Sequence, residues 1–530
     1  MDKTDKIVIV GGGSAGWMTA AMLVKAFPNR DITVIESDEY PIIGVGESTI
    51  APIRQFTRFI DLDESEFLEK TNGSYKLSIQ FTDFDKKNGT QFHYPFGLPA
   101  VIGGRNPFFD WHLKKHFYPD TPYTDFVKTI MSSSHLFLNN KYSPNLDNEF
   151  DAFVPELHVA YHFDAVLFGK VLKEKYCTNK GVTHIVDTVS SVELGEKGIE
   201  YLTLKSGEKV FADLYIDCTG FKSLLLAGAL KEPFKSYEHL LPNNSAIAVQ
   251  IPYENKELEL NPYTNCTAIE NGWCWNVPLW SRLGTGYTYS NKYVSQEDAL
   301  VEFKRYLMSN RMTIPRTSEQ VDALTYRYLN MRIGIHERTF VKNVVAIGLS
   351  AGFIEPLESS GLFTVHHFMF KLIHILSRPL IKQYDRDMYN RATYEMFHHF
   401  AEFVELHYAL SDRDDTPYWQ DATSGVRTQQ VKPGDVEGAE LRLVGDRYMN
   451  TWEHTYGYDG TAYIVTGQGY PMLSEHRVSE MSFNQKRDFK TEIDNTMVIW
   501  EELKAKWAKA AENSPTHYEY LKRFHKKDVQ

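Results

Sequence analysis

The chain has 530 residues, of which 42% are hydrophobic and 24% charged, and a formal net charge of −12; this is the balance of a water-exposed globular body, and an acidic one without a basic stripe, which excludes a nucleic-acid surface. No apolar run is long enough to span a bilayer, and the charged first residues pass straight into a strand, so neither a membrane segment nor a secretory leader is expected. Four scattered cysteines, Cys177, Cys218, Cys266 and Cys274, form no C-x-x-C pair and no cluster with histidine, which argues against a metal site or a disulfide framework and places the protein in a reducing cytoplasm.

Lys6–Val10 is a β-branched run that ends in Gly11-Gly12-Gly13-Ser14-Ala15-Gly16, after which Trp17 to Ala26 reads as a helix. The next strand, Asp31–Ile35, ends at Glu36, at the spacing where a carboxylate bonds ribose hydroxyls. Glycines at 11, 13 and 16 remove side chains where the turn tightens, where backbone approaches a pyrophosphate and where helix packs on strand, while the helix start, with Ser14 and Ala15, turns its N–H groups to the phosphates. Ala212–Gly220 and Asn343–Gly348 repeat the pattern of a buried strand followed by glycine, as further strands of one sheet. There is no second G-x-G-x-x-G with its own acidic partner, so one nucleotide has a fixed site and reducing equivalents arrive from outside. In Gly272-Trp273-Cys274-Trp275-Asn276-Val277-Pro278 the two tryptophans share one face of a strand.

After Gly361 the residues Leu362, Val365, Phe368, Met369, Leu372 and Ile373 recur at helical spacing, which puts Ser360 and Gly361 at a helix start, where an anion is favoured. A side-chain cap there belongs to Ser359 or Ser360 rather than to Glu358. Helices are expected again over about Tyr389–Tyr408 and around Val498–Lys509, with no βαβ rhythm after roughly Pro379. The fold expected is α/β, with a Rossmann-type dinucleotide-binding module over 1–380 that carries a substrate-side insertion at about 82–150. A mostly helical module over 381–530 packs closely on it.

Five segments in order, Gly11 to Trp17, Gly44 to Thr49, Lys76 to Phe81, the W-x-W-x-V-P box and Pro356-Leu357-Glu358-Ser359-Ser360-Gly361, resemble the flavin-dependent tryptophan halogenase family, whose fold is that of single-component flavin monooxygenases. The resemblance covers nearly the whole chain. It implies FAD as cofactor, delivered as FADH2 by a separate flavin reductase, with O2 and halide (chloride, bromide or iodide) as co-substrates. The hypohalous species so formed travels through the protein to Lys76, where an ammonium polarises it by hydrogen bonding or a neutral amine forms a haloamine. Glu358 then orients the halogen and accepts the proton lost from the arene. The halide site resembles the backbone N–H groups of Ser360 and Gly361. Ser48 lies in the strap between flavin and substrate, and Val186, Leu349 and Leu362 match positions that touch the flavin ring or adenine. Trp273, Trp275 and Pro278 form the box that keeps an organic substrate from the flavin, and His93 and Phe96 are candidate aromatic walls.

Departures from the family pattern concern the substrate. Phe84 and Ser78 replace a common Trp and Gly, and Tyr448, Trp452, Glu453 and Tyr456 do not reproduce the segment that holds free tryptophan, so the arene expected is an indole, phenol or other electron-rich ring. Ser360 replaces a typical Thr, and the missing methyl gives a pocket suited to bromide or iodide. The function expected is an FADH2-dependent aryl halogenase; the alternatives are a flavin-dependent aromatic hydroxylase and a flavin-binding protein without turnover. A homo-oligomer is compatible with the sequence.

Overall fold

In the computed structural model, which describes residues 4–39, 47–144, 150, 153–424, 458–470, 478–479, 482–483 and 486–525, the chain divides into two units. The first takes Met1–Ser74, Ala160–Asn244 and Leu329–Ala401, the second Tyr75–Val159, Ser245–Tyr328 and Glu402–Gln530. Local periodicity points to one boundary near residue 380; the division instead follows strand pairing, which joins segments far apart in the chain.

In the first unit, the buried β-branched runs Lys6–Val10 (β1) and Asp31–Glu36 (β2) pair in parallel, Val8 opposite Thr33. Helix Ser14–Ala26 (α1) makes the crossover. The next strands in chain order are Glu47–Ser48 (β3), Ser74–Lys76 (β4), Ser78–Thr82 (β5) and Gln91–Pro95 (β6), the last two in the second unit, then Ala160–Phe163 (β7) and Thr183–Val186 (β8). The main sheet runs Phe340–Val341, Val344–Ala346, Leu214–Asp217, β1, β2, β8, parallel except at the 340–341 edge. Chain order reverses direction between β1 and its neighbour Leu214–Asp217, which creates a crevice at their carboxyl ends where ligands of such sheets bind.

The second unit is built on a mostly antiparallel sheet in which Ser245–Ile251, Leu283–Tyr289, Gly272–Pro278, Tyr263–Ile269, β5 and β6 follow one another; only Tyr263–Ile269 and β5 are parallel. One face of this sheet, with Ile247, Val249, Cys274 and Tyr287, is closed by Ala299, Phe303 and Leu307 of helix Gln296–Leu307. The elements described after residue 381 are helices, chiefly Gln383–Ala409, Phe489–Glu512 and His517–Leu521. The architecture is thus α/β with a helical C-terminal part.

Candidate active site

β1 runs into Gly11, whose φ of +116° and whose missing Cβ, which would stand 2.2 Å from the Cys218 carbonyl oxygen, admit only glycine. At Gly16 a Cβ would stand 1.9 Å from the Gly11 oxygen, so α1 packs against the turn itself. Gly13 differs, because a Cβ there would meet nothing within 4 Å. It is the N-cap of α1, and no side chain caps that helix. Open space beside uncapped amides at the positive end of a helix is what a diphosphate requires.

The floor of the crevice is fixed by Asp217. Its carboxylate accepts hydrogen bonds from the Thr219 N–H (3.1 Å) and hydroxyl (2.6 Å) and from the N–H groups of Leu225 (2.7 Å) and Leu226 (2.9 Å). Gly220, at φ +67°, again leaves open space where a Cβ would be. The Ser350 hydroxyl donates to the Gly220 oxygen at 3.3 Å, and a Cβ on Gly348 would lie 2.9 Å from the Ala15 Cβ. Leu349, between those two residues, is therefore held beside the first turn of α1. At the other end Glu36 accepts from Lys173 Nζ (3.0 Å) and His184 Nε2 (2.8 Å), both on Oε2. Val186 lies opposite Glu36 in register and is 60% exposed.

Helix Gly361–Leu376 opens as its periodicity predicts, with Leu362 buried in the first turn. Before it, Pro356–Glu358 form a single 3₁₀ turn that buries Glu358, and Ser359 takes the left-handed conformation at φ +56°. The Ser359 hydroxyl donates to the Ser48 hydroxyl at 3.1 Å. Ser360, at the N-cap, makes no side-chain capping bond. The cap expected from it is therefore missing, and a Cβ on Gly361 would meet open space. Next to Ser48, burial and the Asp164 carboxylate push the Glu47 carboxyl up to about 7. One turn into the helix His366 is buried among Phe56, Phe363 and Phe370, with neither ring nitrogen hydrogen-bonded among the described residues; burial lowers its pKa to about 3. The strap residues 44–46 and Tyr448, Trp452, Glu453 and Tyr456 lie outside the described residues.

In the second unit Lys76 ends β4 with no exposed surface, its ammonium 5.1 Å from the Phe96 ring centroid. The strand is anchored just before it. Tyr75 stacks on Tyr142 at 4.2 Å, and its N–H donates to His517 Nε2 at 3.2 Å. The other His517 nitrogen donates to the Leu260 carbonyl at 2.9 Å, and burial lowers the histidine to about 4, which keeps Nε2 an acceptor. Just after it, the Leu77 N–H donates to Pro262 and its carbonyl accepts from Phe96, both at 2.8 Å.

The structure places Lys76 and Phe96 together but not His93 and Phe96. His93 faces the other side of β6, where the Gln80 amide donates to Nε2 at 3.1 Å and Nδ1 meets the Ser78 hydroxyl at 3.0 Å. Its ring lies between Phe137 and Tyr263, and burial lowers it to about 3. The residue on the Phe96 side is Tyr94, 6.2 Å from Phe96 edge to face and 5.4 Å from Tyr463. The period of a strand carried that signal, since positions 94 and 96 share a face and 93 does not. No spacing announced His517, Lys173 or His184.

Trp273 and Trp275 lie on one strand, buried, with ring centroids 6.1 Å apart, on the face opposite Cys274; Pro278 ends the strand. Trp275 lies across Gly286 of the neighbouring strand, where a Cβ would stand 2.2 Å from the indole. Among the described residues no group of His, Cys, Asp and Glu is arranged to hold a metal ion, and all four cysteines are buried thiols.

The sequence profile of the tryptophan halogenase family matches residues 6–482. Tryptophan 6-halogenase SttH of Streptomyces toxytricini is 38% identical over 79% of this chain and 80% of its own length. The 7-chloro-L-tryptophan 6-halogenase KtzR of Kutzneria sp. is 33% identical over 99% and 100%. Among solved structures, that of VirX1 without ligand superposes with a TM-score of 0.86 at 35% identity, covering 98% of this chain and 99% of that one. The flavin-dependent halogenase BrvH of Brevundimonas sp. BAL3 superposes at 0.83 with 28% identity, covering 99% and 100%.

Proposed function

This chain belongs to the tryptophan halogenase family and is an FADH2-dependent aryl halogenase, and on that premise we propose which of its residues do the work. The flavin is FAD, reduced by a separate flavin reductase. Gly11, Gly13, Ser14, Ala15, Gly16 and Glu36 hold its dinucleotide part, and Ser48, Val186, Leu349 and Leu362 lie along the rest. The open volumes at Gly13 and Gly220 and the uncapped start of α1 fit that group. When bound and reduced, it supplies the electrons that bring O2 to the level at which it oxidises halide to hypohalous acid.

The halide rests on the amides of Ser360 and Gly361, where the partial positive charge of a 16-residue helix favours an anion. The Lys76 ammonium donates a hydrogen bond to hypohalous acid and so draws electron density from the halogen; with no water competing, that bond polarises more strongly than it would in solution. The Glu358 carboxylate stabilises the cationic ring formed on attack and takes its proton. Phe96, with Tyr94 on the same side of its strand, walls the arene, while His93 braces the strand from the other face. Trp273, Trp275 and Pro278 keep that arene from the flavin. A cytoplasmic location is in keeping with this chemistry, and among the described residues no helix is long and apolar enough to cross a membrane.

The observation that carries this reading is Lys76, a lysine with 0% exposure set beside an aromatic ring, a degree of burial rare for that residue type. The test is mass spectrometry of products from a panel of indoles and phenols, with a flavin reductase and chloride, bromide or iodide supplied in turn. Halogenated arenes that require the halide are expected; hydroxylated products formed without it overturn the reading.

A further inference from the structure

The glycine run contains one glycine that the dinucleotide signature does not call for. A Cβ on Gly12 would stand 2.3 Å from Glu36 Cγ and 2.4 Å from its Cδ, so position 12 is small because the Glu36 side chain lies directly over it. That side chain is also held from its far side. Lys173 Nζ at 3.0 Å and His184 Nε2 at 2.8 Å both donate to Oε2, while Oε1 receives no hydrogen bond from the described residues. The three side chains keep only 30%, 15% and 21% exposure for Lys173, His184 and Glu36, more shielded than an ordinary surface ion pair.

Both donors are themselves placed by Trp17, which is buried in α1. The His184 ring meets it edge-on at 5.2 Å, and Lys173 Nζ lies 5.6 Å from its ring centroid. Lys173 reaches it from Leu172–Cys177, a turn of π-helix, a rare distortion that is frequent at functional sites. Two residues beyond His184 on the same strand, Val186 presents an exposed apolar surface opposite Glu36, as the flat base of an adenosine would need. The arrangement ties one carboxylate oxygen back and leaves the other without a hydrogen bond from the described residues.

We propose that Lys173 and His184 are positioning residues for FAD: they hold the Glu36 carboxylate in the orientation that bonds the adenosine ribose hydroxyls, and so give the protein its preference for FAD over flavins that lack the adenosine. This rests on the reading of Gly11–Glu36 as the dinucleotide site. A merely structural ion pair would affect folding or all flavins alike, whereas a ribose clamp acts only on ligands that carry the ribose.

The test measures dissociation constants of FAD and of FMN by flavin fluorescence for the wild type and for Lys173→Met, His184→Gln, Glu36→Gln and the double variant Lys173→Met/Glu36→Gln, with circular dichroism and melting temperature to establish folding. Lys173→Met and His184→Gln are each expected to weaken FAD about five- to twenty-fold, the range for a lost charge-assisted contact, and to leave FMN unchanged. The double variant is expected to be no weaker than Glu36→Gln alone, because the two positions act through one carboxylate. Unchanged or tighter FAD binding in both single variants, equal weakening of FMN, or additive effects in the double variant overturn the proposal. If Glu36→Gln itself leaves FAD affinity intact, the reading of the dinucleotide site falls instead.

Discussion

Replacing Gly13 and Gly16 with alanine, one at a time, separates what the glycine turn does for the ligand from what it does for the fold. At Gly13 the backbone has φ −75° and a new methyl would meet no atom within 4 Å. Alanine there restricts the unfolded chain, a gain of about 0.4–1 kcal/mol, and is a poorer N-cap than glycine by a similar ~0.5–1 kcal/mol; the two offset, and the apoprotein's stability should stay within about 1 kcal/mol of the wild type. The methyl instead fills the volume assigned to the diphosphate, so FAD affinity should fall at least tenfold, or about 1.4 kcal/mol. At Gly16 the methyl would stand 1.9 Å from the Gly11 carbonyl oxygen, backbone that cannot swing aside, and overpacking of this kind costs ~3 kcal/mol. Thermal melts with and without FAD, together with fluorescence titration, read both quantities. If Gly13→Ala binds FAD within twofold of the wild type, the diphosphate does not pack against that position and the assignment of the open space is wrong.

Lys76→Ala should lower halogenation at least about a hundredfold, the scale of losing one preorganised donor, with FAD affinity unchanged by titration; an undiminished rate would remove Lys76 from the chemistry. His366, neutral and without a hydrogen-bond partner for either ring nitrogen among the described residues, has a folded pKa of about 3 against 6.5 for the unfolded chain. The unfolded state therefore binds the extra proton between those values, so the stability is full above about pH 6.5 and is lost as pH falls, by about 2 kcal/mol at pH 5. His366→Phe should accordingly raise the melting temperature more at pH 5 than at pH 8, and a gain equal at both would refute the linkage. Ser360→Thr adds a methyl at the proposed halide site and should shift a competition among the three halides toward chloride, read as the product ratio; an unchanged ratio would show that the methyl does not size the pocket.

The parts legible in the sequence are those whose signal is local. The pattern of 6–36 is complete within one strand, turn, helix and strand, and the apolar spacing after Gly361 places a helix start at the residue where it occurs. The interleaving of the two units was not legible, because β5 takes its parallel partner from Tyr263–Ile269 and nothing near either strand names the other. The same holds for the groups that support the site: the bond from Tyr75 to His517 spans 442 positions, and those from Lys173 and His184 to Glu36 span 137 and 148. His93 is a different case, since the alternation of side chains along β6 itself sets position 93 on the face opposite Tyr94 and Phe96. At Ser360 composition favoured a side-chain cap and none forms, while Ser359 takes a left-handed turn and its hydroxyl donates to Ser48.

Trp275 and Gly286 occupy a single shared volume across two neighbouring strands: the indole can lie flat only because its neighbour lacks a side chain. Attempts to reshape this enzyme by trimming position 275 alone would dig an apolar trough down to bare backbone, and attempts to enlarge position 286 alone would evict the ring. The two codons are therefore one design variable, and a library that varies them jointly explores shapes that neither single-site library contains.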